Sequence, residues 1–336
     1  MLLSVLDLSP IPSGSTARQA LLNTIDLARH VEALGYHRFW LAEHHNLGAL
    51  ASSSPEILIG AVAAATTTIR VGSGGIMLPN HSPLKVAEVF RVLEALHPSR
   101  IDLGVGRAAG TDPKTALALR QAATLAGAER FPEQLEELKV YLTRENDPET
   151  RFGPIKATPM GVQPPPLFLL GSGTEGARLA AERGLGFAYA HHIAPDGMAE
   201  AMRVYRSTFQ PSASKCGWSE PRSILAVSAM CARDEAHAED LLRCVDVGML
   251  RVAQGFRDLP LPSIAEARAY TFDPDEEMLR RGNRGRTLIG AANEVAIVLR
   301  DMVVEAEADE LMIVTGIHDY EDRKRSYTEL ASRLLM

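Results

Sequence analysis

Short apolar runs recur along the chain, each followed by a stretch in which apolar residues return every three or four positions, the period of a helix with one buried face. The runs occupy residues 2–6, 38–42, 69–72, 100–105, 167–170, 186–189, 224–231 and 310–315. They are near-continuous rather than alternating in apolar content, as expected of parallel strands covered on both faces. The helix-period stretches lie at 18–33, 55–65, 83–96, 115–142, 175–183, 197–209, 236–252 and 291–304, with a last one at 322–335. Boundary signals agree with them. Gly35 and Gly184 stand where C′ glycines belong, Pro83 follows Ser82 at a first helical position, and Ser15 is placed to open the first helix. This strand-and-helix repetition predicts one α/β domain over residues 1–336, a (β/α)8 TIM barrel with long loop insertions at the face where its strands end.

Two segments break the repetition. Residues 145–166 are rich in proline and charge, and 255–286 carries Pro260, Pro262, Pro274 and a basic cluster from Arg280 to Arg286. Long loops in a compact domain are commonly functional, and 255–286 is expected to act as a mobile lid. Composition then narrows the function. A chain of 336 residues with 46% hydrophobic content can bury a large core, and a net charge of −7 leaves no basic surplus for a phosphate backbone. Nucleic acid is therefore not expected as a partner, and a small molecule is. Cys216, Cys231 and Cys244 have neither metal-type nor redox-type spacing and read as reduced thiols. The N-terminal stretch has no basic n-region and no apolar run reaches membrane-spanning length, so a cytoplasmic protein without a membrane partner is expected.

In a barrel of this kind ligands bind where strands end. The residues there are polar and glycine-rich. Glu43, His44, His45 and Asn46 follow the second run, and Ser73, Gly74 and Gly75 the third. Gly104, Gly106 and Arg107 close the fourth, Gly171, Ser172, Gly173 and Thr174 follow the fifth, and His191 and His192 the sixth. The Gly171–Thr174 turn leads into a helix whose first N–H groups and positive dipole end suit an anion, although glycine there also serves an ordinary strand-to-helix turn. Arg107 ends a buried run, where its guanidinium calls for a phosphate or a carboxylate such as Asp102 or Asp112. Adjacent imidazoles beside a carboxylate suit proton transfer near neutral pH. A metal site competes with that reading, but no HxH or HExxH pattern occurs and no metal is expected. At Ser73, Gly74 and Gly75 a planar ring can lie on bare backbone, or the glycines simply make a turn. Asn80 and His81 either contact the same ligand or cap the next helix.

Taken in order, the segments 40–46 (WLAEHHN), 72–81 (GSGGIMLPNH), 100–107 (RIDLGVGR) and 309–314 (DELMIV) resemble the luciferase-like flavin-dependent monooxygenase superfamily, and its single-chain, YhbW-like subgroup most of all. The resemblance runs nearly end to end. It implies a barrel that uses reduced FMN, delivered by a separate flavin reductase, together with O2 and a small organic substrate. His44 matches the catalytic histidine, accompanied by His45, with Glu43 as a group that orients it. Arg107 and Gly171, Ser172, Gly173 and Thr174 match the phosphate contacts. Ser73, Gly74 and Gly75 correspond to a strand end that often carries a non-prolyl cis peptide beside the flavin ring, and His192 to a further cofactor contact. True luciferases have a cysteine where this chain has Gly106, so light emission is not expected.

The same barrel in related enzymes takes the deazaflavin F420 for hydride transfer, which stands as the alternative cofactor. A non-catalytic flavin-binding protein is the alternative from another class. The resemblance further implies a homodimer, expected through the helices at 55–65 and 83–96, where Gly60, Ala61, Ala63 and Ala64 allow close approach.

Overall fold

The structure, a computed structural model, describes residues 1–120, 129–143 and 155–335. Its strands are β1 (Leu2–Asp7), β2 (Arg38–Leu41), β3 (Arg70–Ser73), β4 (Ile76–Met77), β5 (Ile101–Gly106), β6 (Leu167–Gly171), β7 (Gly186–Ala190), β8 (Ser223–Ala232), β9 (Thr287–Ala291) and β10 (Glu310–Val314). Eight of them pair in parallel in the cyclic order β1–β2–β3–β5–β6–β7–β8–β10, and β10 returns to β1 through Leu3↔Leu311 and Val5↔Ile313. The sheet is thus a closed (β/α)8 barrel. All eight predicted runs become its staves. The runs do not reveal two extra strands: β4, which prolongs the edge beside β5, and β9, which pairs with the outer half of β8 from Ser228↔Thr287 to Ala232↔Ala291.

Side-chain parity sorts the barrel into an inside and an outside. Odd-numbered strand residues such as Val5, Phe39, Val71, Leu103, Leu169, Phe187, Val227 and Ile313 meet the surrounding helices in one large core. Even-numbered ones, Leu6, Trp40, Ala42, Phe168, Ala188, Ile224, Ala226 and Met312, form a separate cluster inside. Trp40 and Phe168 meet edge to face at 5.2 Å and fill the waist. Glycines make that possible, because a Cβ on Gly186 would sit 2.3 Å from the Phe168 ring and one on Gly72 2.8 Å from Trp40 Nε1. The bottom layer of the barrel is charged instead of apolar. Arg38 binds Glu310 (2.6 Å) and Asp102 (2.7 Å), Asp102 also takes Arg70 (2.5 Å) and the Trp40 Nε1–H (3.1 Å), and Ser4 donates to Glu310.

The helices are α1 (Ala17–Ala33), α2 (Pro55–Ala65), α3 (Pro83–Leu96), α4 (Pro113–Arg120), α5 (Phe131–Thr143), α6 (Thr174–Glu182), α7 (Met198–Thr208), α8 (Glu235–Ala253), α9 (Ile264–Ala269), α10 (Pro274–Asn283), α11 (Ala292–Glu305) and α12 (Tyr320–Leu334). Thr16, not Ser15, caps α1, its hydroxyl accepting from Gln19 N–H. Gly35 (φ +87°) and Gly184 (φ +60°) take the left-handed conformation expected after their helices. The predicted helix at 115–142 is represented by α4 and α5, and its part at 121–128, like 145–154 of the proline-rich segment, lies outside the described residues. Residues 255–286 hold more regular structure than a loop. Capping boxes at Ser263 and Asp273 open α9 and α10, and Arg280 joins α10 to Asp246 of α8. Within α2, Gly60 lies against Leu93 of α3 and Ala63 is buried, so these two small residues serve packing inside the chain. Among the described residues no helix is long and apolar enough to cross a membrane, and the three cysteines are free and buried.

Candidate active site

At the C-terminal ends of the strands the barrel opens into a cavity of about 500 Å³, a size that suits a cofactor-sized ligand. Its floor is the top of the inner cluster: Leu6, Trp40, Ala42, Ala188, Ala226 and Met312. Of the residues singled out by sequence, His44, Gly74, Arg107, Gly171, Ser172, Gly173, Thr174 and His192 line it. Glu43, His45, Ser73 and Gly75 do not.

Glu43 is 1% exposed and turned away from the cavity. Its carboxylate accepts from His45 Nε2 (2.9 Å), His81 Nε2 (2.9 Å) and the Met77 N–H (2.9 Å). Burial alone would raise its pKa, but these donors outweigh burial and hold it below the ordinary value. His81 in turn is raised despite burial, because Glu43 favours its charged form. Glu43 therefore fastens the loop after β2 to β4 and the short turn behind it, and does not orient His44. Asn80 joins the same cluster and donates to Ala109 C=O (2.9 Å), so Asn80 and His81 hold loops together and line no part of the cavity.

His44 is oriented by Gly110, whose carbonyl lies 3.4 Å from its Nδ1 and 3.4 Å from the His45 N–H. Gly110 has φ +65°, and a Cβ there would stand 2.8 Å from Glu43 O, so this close approach requires glycine. Its place in a loop of ordinary appearance left no sequence signal. His192 Nδ1 lies 3.2 Å from Ala226 C=O. Burial depresses the pKa of both imidazoles, that of His192 to about 4, which leaves both neutral near pH 7.

The end of the cavity suited to an anion is built from two strand ends. Gly173 is the N-cap of α6, no side chain caps that helix, and a Cβ on Gly173 would enter open space, so the first-turn N–H groups are left for another acceptor. Arg107 lies opposite. It is not buried, and its partner is neither Asp102, engaged by Arg38 and Arg70, nor Asp112, which accepts from Thr115 and Asn46 at the start of α4. It pairs at 2.9 Å with Glu175 in the first turn of α6, both side chains more than half exposed. Ser73 is buried under the floor, donating to Gly104 C=O at 2.8 Å, and the Gly74–Gly75 peptide is cis.

The arrangement joins a rim suited to an anion, a glycine-surfaced wall, an apolar floor and two neutral imidazoles. These features suit a planar ring system that carries a phosphate. The chain is 40% identical to a luciferase-like monooxygenase of Escherichia coli, covering 98% of this chain and 95% of that one, and 36% identical to an N-acetyl-S-alkylcysteine monooxygenase of Bacillus subtilis, covering 99% and 98%. Its fold matches the crystal structure of apo-MsnO8 with a TM-score of 0.88 and 39% identity over 99% of this chain and 98% of that one. More distant folds include an oxygenating constituent of 3,6-diketocamphane monooxygenase in complex with FMN (TM-score 0.71, 17% identity over 99% and 97%) and an F420-dependent secondary alcohol dehydrogenase (0.66, 15% over 98% and 97%). The sequence model of the luciferase-like monooxygenase family matches residues 1–310, and the chain belongs to that family.

Proposed function

We propose that this monooxygenase uses reduced FMN, supplied by a flavin reductase, and O2 to oxidise a small organic substrate inside the barrel mouth. The observation that carries the reading is the single cavity in which the capless start of α6 and Arg107 face the glycine wall at Gly74 and the neutral imidazoles of His44 and His192. The α6 N–H groups, Ser172, Thr174 and Arg107 would hold the phosphate, and Gly74 and Gly106 would leave room for the ring. Bound reduced FMN supplies the two electrons with which O2 is activated.

The protein side of the chemistry is proton handling and exclusion of water. His44 gives its Nδ1–H to Gly110, so its free Nε2 accepts a proton and the residue enters turnover as a base. The apolar floor keeps bulk water from the reacting groups. Residues 255–286 meet the loops after β1 and β2 through backbone hydrogen bonds, Leu261 with Ile11 and Ser13, and Arg257 with Gly48, and are the segment we assign to closing over the cavity.

Two measurements test this. Anaerobic titration of the purified protein with reduced FMN is expected to saturate, and later admission of O2 to give flavin-dependent oxygen uptake. No binding of FMN together with saturable binding of F420 would redirect the assignment to hydride transfer, and tight FMN binding with no oxygen uptake would indicate a binding protein. The second measurement concerns the rim. Arg107→Ala is expected to weaken FMN binding roughly ten- to a hundredfold, the worth of one charge-assisted hydrogen bond. Glu175→Gln is expected to tighten it modestly, since Glu175 competes with an anion for Arg107. Equal FMN affinity in the wild-type protein and Arg107→Ala would move the phosphate elsewhere.

A further inference from the structure

Only His44 and His192 bring imidazoles to the cavity among the described residues, and both are tethered by the same ring nitrogen. Nδ1 of His44 faces Gly110 C=O at 3.4 Å and Nδ1 of His192 faces Ala226 C=O at 3.2 Å. A carbonyl oxygen can only accept, so each Nδ1 carries the proton and each Nε2 presents a lone pair. Neither Nε2 has a hydrogen-bond partner among the described residues. Trp40 adds no donor, because its N–H is spent on Asp102 at 3.1 Å. The formally charged residues on the cavity wall, Arg107 and Glu175, pair with each other at the rim.

We propose that His44 and His192 form an acceptor pair that selects an uncharged, largely aliphatic substrate bearing an O–H or N–H donor; the assignment rests on the flavin reading only in placing substrate and cofactor in one cavity. Carboxylates and ammonium groups are disfavoured because the floor offers no counter-ion to offset their desolvation. The imidazoles do not supply one, since burial keeps both neutral near pH 7. An isostere without a donor is disfavoured because it strips water from two lone pairs and returns nothing.

The test uses four six-carbon probes: hexan-1-ol, its isomer methyl pentyl ether, hexanoate and hexylammonium. Each is titrated at pH 7.5 into the protein with and without bound FMN, followed by the histidine ring resonances and by the flavin absorbance. Hexan-1-ol is expected to bind at least about tenfold more tightly than the ether with or without FMN, and than hexanoate and hexylammonium in the FMN-loaded protein, where the rim at Arg107 and α6 is occupied. In the protein without FMN, where no cofactor contact of His192 enters, His192→Leu is expected to narrow the alcohol's advantage over the ether. In the wild-type protein, 15N-labelled histidine is expected to report Nδ1–H tautomers for His44 and His192. Ether binding as tightly as the alcohol, hexanoate or hexylammonium doing so in the FMN-loaded protein, none of the four binding, or an Nε2–H tautomer at either residue overturns the proposal. Failure of the wild-type protein to retain FMN overturns the flavin reading alone, because the alcohol preference is also read on the unloaded protein.

Discussion

His44→Ala is expected to lower kcat by about 10²- to 10⁴-fold, the usual worth of a positioned proton acceptor, while reduced FMN binds almost as it does to the wild-type protein. The expectation follows from geometry. His44 reaches the cavity through one ring nitrogen and is anchored on Gly110 by the other, so truncation removes a base and leaves the rim at Arg107 and α6 untouched. The pH profile carries a second mark of the same role. Burial depresses the His44 pKa, so its base form persists below the ordinary histidine value of 6.5. Activity should therefore hold through mildly acidic pH and fall only below that value, and His44→Ala should lose this acid limb. A rise in the FMN dissociation constant matching the fall in kcat would show instead that His44 serves binding.

The second large effect concerns stability and lies at the other end of the barrel. Asp102→Asn is expected to destabilise the fold by about 3–5 kcal/mol, because it leaves the buried Arg38 and the half-buried Arg70 short of their shared counter-ion. Thermal or urea unfolding measures this directly, with FMN affinity as the control, since none of these three residues lines the cavity. The pH dependence has a definite sign. Burial alone would raise the Asp102 pKa, but Arg38 and Arg70 hold it below its ordinary 3.8, so its contribution is present at neutral pH and lost as pH falls through that depressed value. The gap between wild type and Asp102→Asn should thus narrow in strong acid. A loss below about 1 kcal/mol at neutral pH would mean that the network is replaceable by neutral hydrogen bonds.

These two sites differ in how far the sequence announces them. His44 stands at the end of a strand-like run beside another imidazole and a carboxylate, a place and a composition that already suggest chemistry. Asp102 lies within a run of buried type, and sequence alone offers it as a partner for Arg107. In the fold the two are unrelated, since Asp102 faces the bottom of the barrel and Arg107 the mouth. Glu43 shows the same limit. It precedes His44 by one residue, yet in the segment that follows β2 its side chain turns away from the cavity and meets His81, 38 residues away.

The barrel staves, most of the helices and the end of the barrel where polar residues gather were legible from local sequence. These follow from local periodicity and from glycine and polar residues concentrated where strands stop, and both signals are written into neighbouring residues. Only the tertiary structure decided which side of each strand faces inward. A parallel strand covered on both faces is apolar at both parities, so its pattern cannot distinguish Trp40 inside from Phe39 outside. It likewise decided the partners of Arg107 and Glu43, the docking of 255–286 as two helices against α8, and the pairing of β9 with β8. Each depends on segments brought together from distant parts of the chain, as with Arg107 and Glu175, 68 residues apart, and closure of the barrel is what sets them face to face.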